Sequence, residues 1–437
     1  MNITKKKILT MFAATAASFA LIGCGSSSSS ADYEDESSSS VEESSDSAES
    51  SSSAAEKSSA SKSSDSKSSD SKEKSSSSAA ESSSSAAESS SSEESSSSEE
   101  TDSYDNSVIV HFSTDYTSGM LTYGNVGEDT LEDAGIDLGT DAFLFANGKY
   151  VYALSPSNVT LIDASKLSEG SSAIVKQASI GDYAYPYEIA FTDAETGWIV
   201  LNGRSTILKV NATSLAILDS IDVSAFAAEG ATTASGVSIK VVDGKLAVLL
   251  GRLNNYAPEK PALLALYDAE SGELQDTICL KGYNPVNMKT NDGKLVVLTQ
   301  GAYDASYNLP GDDTRGIEIV DLEKKSSEFV VTGENLGAGS NKLALDTVNN
   351  IAYVNIYNSY GDAPIAAVDL TKKSSVKSTE IADAEGGFMF DAVSGKLYAG
   401  DRAYGATALY AYDGTDFTKI VEPEDVLPSY SIAVANW

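Results

Sequence analysis

The chain has 437 residues, with 64 acidic side chains against 30 basic, one histidine and two cysteines. A formal charge of −34 repels phosphate and argues against a nucleic-acid partner. One histidine excludes His-rich metal sites and nearly all His-based triads, and two cysteines cannot build a disulfide framework or a four-cysteine zinc site.

Residues 1–23 read as a targeting segment. Lys5, Lys6 and Lys7 precede an apolar run over residues 8–22, too short to span a bilayer comfortably. The run ends in Leu21-Ile22-Gly23-Cys24, which resembles the bacterial lipobox. The resemblance implies cleavage before Cys24 and lipidation of Cys24. Several acyl chains on one residue anchor durably, whereas one chain binds marginally. The expected location is the bacterial cell envelope, lipid-anchored at the outer membrane or cell surface. No later stretch is apolar and long enough to span a bilayer, so this lipid is the expected membrane attachment.

Residues 24–106 read as the lipidated cysteine followed by a disordered Ser/Glu-rich tether. Of the 82 residues 25–106, 42 are serine, 20 are acidic and 5 are lysine, and Val41 is the one aliphatic side chain larger than alanine. Such a stretch buries too little apolar surface to offset its chain entropy. A flexible chain of this length spans roughly 50 Å r.m.s., and self-repulsion lengthens it.

Residues 107–437 repeat. A turn-plus-strand unit reads Asn147-Gly148-Lys149-Tyr150-Val151-Tyr152 and recurs at Thr196-Gly197, Asp243-Gly244, Asp292-Gly293, Asn349-Asn350 and Ser394-Gly395, at spacings of 49, 47, 49, 57 and 45 residues. Asp-Gly and Asn-Gly favour two-residue hairpin turns that need positive φ. A second mark, an apolar residue followed by Asp or Asn, falls at Asp163, Asn211, Asp268, Asp321, Asp369 and Asp413, where Asx side chains start turns. Each period holds four short strands and no helical periodicity, the mark of a β-propeller blade. Six units run from about Asp141 to Val426. The C-terminal Ser429–Ala435 reads as a lone first strand, and residues 107–139 read as strands two to four of the same blade. The expected fold is therefore an all-β, seven-bladed propeller closed by its C-terminal strand.

The stretch from Leu266-Tyr267-Asp268 through Gly282-Tyr283-Asn284-Pro285 to Asp292-Gly293-Lys294 resembles the YVTN, or YncE-like, propeller repeat. The resemblance implies a seven-bladed ring. It implies no activity, because the fold hosts lactonases, dehydrogenase subunits and non-catalytic binders.

In such a blade the second-to-third and fourth-to-first strand loops share one face. Here those loops are long, and the other face carries short polar turns. The four arginines, Arg204, Arg252, Arg315 and Arg402, all fall in second-to-third loops, with Tyr256, Tyr303, Tyr307, Tyr357, Tyr360 and Tyr404. Arginine presents a fixed fork of donors and tyrosine a rigid amphipathic surface, so these ten residues are the candidate ligand contacts. Local pairing of Asp312 or Asp313 with Arg315, and of Asp401 with Arg402, is the competing use of the same side chains. His111 reads as a strand histidine and Cys279 as a buried free thiol. No cofactor, metal site or catalytic residue is expected.

These observations favour a lipid-anchored recognition or scaffold module for a glycan, peptide or protein ligand, more readily than an enzyme. The alternatives are a lactonase- or lyase-type enzyme using the same face, which needs perturbed titratable groups near the ring axis, and an outer-membrane assembly scaffold.

Overall fold

A computed structural model describes residues 106–254, 257–303, 308, 311–337, 339–377, 381–403 and 407–437. Cys24, the 1–23 segment and the tether, apart from Asn106, lie outside the described residues, as do Tyr256, Tyr307 and Tyr404.

The described strands form seven four-stranded antiparallel sheets. Numbered in chain order, blades I to VI begin with the first strands Phe143–Asn147, Pro186–Phe191, Gly236–Val242, Pro285–Asn291, Leu343–Asp346 and Phe388–Asp391. Blade VII begins with Ser429–Asn436 and continues with Ser107–Thr114, Gly119–Asn125 and Glu132–Asp133. The ring is thus a seven-bladed propeller closed by the last strand, as the repeat spacing predicts.

Local chemistry explains the blade. Asp243-Gly244 and Asp292-Gly293 both take positive φ, at 50° and 73° and at 48° and 68°, which is the geometry of a tight hairpin between the first two strands. The second strand Lys245–Leu250 shows why the blades must stack. Leu246, Val248 and Leu250 pack into one apolar cluster, against blade II. Ala247 and Leu249 pack into another, against blade IV. Alternate residues of one strand point to opposite faces, so a sheet with both faces apolar needs a neighbour on each side. Seven such clusters fill the seven gaps between blades.

Closure is specific. Val108, Ile109 and Val110 pair with Ala435, Val434 and Ala433, and the ladder shifts register by a bulge between Phe112 and Ser113. At its open end Asn106 and Trp437 exchange two backbone hydrogen bonds of 3.1 Å, and Asn436 N–H donates to Gly148 O at 3.2 Å. Gly148 belongs to a first-to-second strand turn, so the folded chain begins and ends on the short-turn face.

Two details depart from the simple repeat. The third-to-fourth connection of blade I, Ala164–Ala173, is two short 3₁₀ turns broken at Gly170 (φ 66°), the first capped by the Asp163 carboxylate. Cys279, expected to be buried, is only partly buried. No helix among the described residues is long and apolar enough to cross a membrane.

Candidate functional site

Strand boundaries place Arg204, Arg252, Arg315, Arg402, Tyr303, Tyr357 and Tyr360 in second-to-third loops of blades II to VI, on one face. Their guanidiniums are largely engaged close to home. Arg204 Nη2 donates to Asp182 O at 2.9 Å. Arg252 is buried, sits at φ 55° and donates from Nε to Phe226 O at 3.1 Å. Its Nη1 has no hydrogen-bond partner among the described residues, and burial lowers its pKa. Arg315 is buried against Gly333 and donates to Asp312 Oδ1 at 2.6 Å, the local pair foreseen above. Arg402 donates from Nη1 to Ser429 O at 2.7 Å, and its guanidinium carbon lies 5.3 Å from the centre of the Tyr116 ring. Asp401 accepts from the backbone N–H groups of Ala382, Asp383 and Ala403, so its carboxylate organises the loops rather than pairing with Arg402.

The tyrosines behave differently. Tyr360 is 83% exposed, Tyr183 73% and Tyr116 60%, and Tyr185, Tyr187 and Tyr357 join them among the exposed large side chains. All six belong to this face, and no other aromatic residue appears among the exposed large hydrophobics of the described residues. Tyr116, Tyr183 and Tyr185 hold φ at 67°, 53° and 46°, left-handed backbone that a bulky side chain adopts at a cost. Tyr303 is instead partly buried, with its hydroxyl beside Gly339, and burial raises its pKa.

Beneath this face the seven first strands enclose an axial cavity of about 510 Å³. Its wall has two unlike arcs. Lys240, Lys289 and Lys342 come from three consecutive blades, III, IV and V. Phe388, Met389, Tyr430, Ile432, Val434, Phe143, Phe145 and Tyr187 come from blades VI, VII, I and II. The rings interlock: Phe143 lies 5.5 Å from Tyr430 and 5.7 Å from Tyr187, centroid to centroid, and Tyr116 on the loop face lies 6.2 Å from Tyr430. An aromatic path thus runs from the exposed rim to the cavity.

Polar groups on the opposite arc are unevenly matched. Buried Glu188 accepts from Ile239 N–H at 2.9 Å and holds Ser238 Oγ and Lys240 Nζ. Burial pushes Lys289 and Lys342 down to about 8, with Lys240 adding to the effect at Lys289 and Glu385 opposing it at Lys342. At the blade V–VI junction, burial raises the Asp383 carboxyl to about 6, with Glu385 and Asp401 adding to it, and Asp383 Oδ1 has no hydrogen-bond partner among the described residues.

Sequence reading did not single out the three lysines. A signal existed: Lys240 and Lys289 stand at the same register of their strands, four residues after Gly236 and Pro285.

No protein-family model and no curated protein matches the chain. Among solved structures, several are similar to this chain at low identity. AztD from Citrobacter koseri is 13% identical over 76% of this chain and 98% of that one, with a TM-score of 0.48. The dihydro-heme d1 dehydrogenase NirN, in complex with DHE, is 14% identical over 76% and 75% of the two chains, with a TM-score of 0.46. The hydrazine synthase of Kuenenia stuttgartiensis is 13% identical over 62% and 76%, with a TM-score of 0.45.

Proposed function

We propose that the protein is a bacterial envelope lipoprotein, anchored by acylated Cys24, whose YVTN-like propeller acts as a non-catalytic recognition module for a glycan, peptide or protein ligand laid across the long-loop face. The observation that carries this reading is the confinement of six exposed tyrosines to one rim. Exposed aromatic rings cost little ordering entropy on binding and are concentrated at recognition surfaces. Three of them stand on left-handed backbone, the kind of local strain that persists at working surfaces.

The arginines contribute differently from what their composition suggests. Arg252, Arg315 and Arg402 bind loop carbonyls or a loop carboxylate, which rigidifies the platform beneath the tyrosines. The folded residues 107–437 carry 44 acidic side chains against 22 basic, so a neutral or basic polymer suits the rim better than an anionic one. The described chain begins at Asn106 on the short-turn face, opposite the tyrosine face.

Glycan arrays and cell-wall pull-downs with the purified protein test the reading. Binding lost in a Tyr183→Asn, Tyr360→Ala variant, without turnover of the bound material, supports it. Binding indifferent to both changes, or turnover that depends on Lys342 at the cavity and on Asp383 at the blade V–VI junction, rejects it in favour of the enzyme alternative.

A further inference from the structure

We propose that the axial cavity is a separate site for a small organic anion: Lys289 and Lys342 take its carboxylate or phosphate group, and Phe143, Phe388 and Tyr430 on the opposite arc take its apolar body. This goes beyond the loop-face reading and stands or falls without it.

Placement is the first argument. In a ring of seven, blades III to V face blades VI, VII, I and II across the axis. The cationic and aromatic residues therefore oppose one another instead of mixing. The volume, about 510 Å³, lies inside the range of small-molecule sites, roughly 300–1,000 Å³.

Pairing is the second. Three lysines and one carboxylate, Glu188, line the cavity. Glu188 is already committed to Lys240, Ser238 and the Ile239 N–H. Glu385 near Lys342 accepts from Asn341 Nδ2 at 2.7 Å. Among the described residues no hydrogen bond or ion pair reaches the ammonium of Lys289 or Lys342. The cavity wall is thus cationic by two charges within a strongly anionic molecule.

Cost is the third. Both lysines are half-buried, and an ammonium partly withdrawn from water without an acceptor costs stability that a methionine of similar length would not. Their lowered pKa values report that penalty. Local rules broken without a structural return mark working sites. An anion between the two lysines supplies the missing acceptor, and the stacked rings supply apolar contact that inorganic phosphate cannot use.

The test is calorimetric titration of the full chain with benzoate, phenyl phosphate, inorganic phosphate and benzyl alcohol. Benzoate, phenyl phosphate or both bind saturably, and the tighter of the two identifies the headgroup. Phosphate, lacking the body, and benzyl alcohol, lacking the charge, bind about tenfold weaker or less. Lys289→Met with Lys342→Met lowers affinity for the organic anion about tenfold or more, while Lys324→Met on the surface and the Tyr183→Asn, Tyr360→Ala rim variant leave it unchanged. On the unmodified protein, benzoate or phenyl phosphate slows acetylation of Lys289 and Lys342 by acetic anhydride, read by mass spectrometry. Equal affinity for benzoate and benzyl alcohol, undiminished binding in the double variant, or acetylation indifferent to both anions overturns the proposal.

Discussion

His111 Nε2 lies 2.9 Å from Ser429 Oγ, a contact between adjacent strands of blade VII that spans 318 positions of the chain. On its other side His111 Nδ1 lies 3.0 Å from Glu422 Oε1, and Thr122 Oγ1 approaches at 3.3 Å. The order Ser–His–Glu looks like a nucleophile relay, but the surroundings give it another role. His111 is fully buried, Ser429 Oγ also accepts the Gly387 N–H at 3.0 Å, and Gly400 packs so close that a Cβ there would sit 2.0 Å from that oxygen. No room is left for a scissile carbonyl. The trio ties the last strand, the second strand and the blade VI–VII loop together where the ring closes.

Changing His111 to Leu leaves the Glu422 carboxylate in a largely buried place beside an apolar side chain. The expected loss is about 3 kcal/mol in urea unfolding, and His111→Leu with Glu422→Leu recovers a large part of it. Deleting Ser429–Trp437 removes a whole inner strand and abolishes cooperative unfolding. An unchanged urea midpoint in the truncated chain would falsify closure as the source of stability.

Lys289 and Lys342 carry a pH signature. Their folded pKa is depressed to about 8, from 10.5 unfolded. The penalty is therefore complete below about pH 8 and disappears as pH rises toward the unfolded value. Methionine at either position raises stability at pH 7 by about 1–2 kcal/mol, and the gain shrinks as pH rises from 8 toward 10.5. Thermal melts of both variants across that range check the sign, and a gain that grows with pH contradicts it.

Asp383 is shifted the other way. Its pKa is raised from 3.8 to about 6, so the folded state favours the neutral acid. The associated stability is full below about pH 4 and lost as pH rises through 6. Asp383→Asn is expected to stabilise by about 1 kcal/mol at pH 7 to 8 and to be neutral near pH 4, allowing for solvent screening. Denaturant midpoints at the two pH values measure the difference.

The anchor has a covalent test. A chain with two cysteines cannot hold both a thioether on Cys24 and a disulfide within the chain at Cys279. The lipoprotein proposal requires a mature protein starting at Cys24, heavier by its acyl chains and with Cys279 open to alkylation without reductant. Intact mass and alkylation of membrane-extracted protein read both. A non-acylated chain whose Cys279 alkylates only after reduction rejects the anchor.

Legibility followed locality. The blade period was readable because each hairpin carries its own code: the Asp-Gly turns at 243–244 and 292–293 specify positive φ from two adjacent residues. The seventh blade was readable because an unpaired strand at each end demands the other. The rim tyrosines were readable because loop membership follows from strand order. The cavity was not, because its wall takes a few residues from each of seven strands scattered over nearly 300 positions. In any one strand Lys240 or Lys289 is simply a polar residue alternating with apolar ones. The partners of His111 were hidden for the same reason, since Ser429 and Glu422 meet it only after closure. The arginines misled composition in a physical way: a long side chain on a loop reaches its own neighbouring carbonyls before it reaches a ligand.

The exchange of backbone hydrogen bonds between Asn106 and Trp437 has a mechanical consequence. A pull delivered through residue 106 enters the strand Ser107–Thr114 along its own axis, and that strand is laddered on both sides, to Ser429–Asn436 and to Gly119–Asn125. Traction must slide two ladders at once instead of peeling one bond at a time, so the ring resists unravelling from the end where its first strand begins.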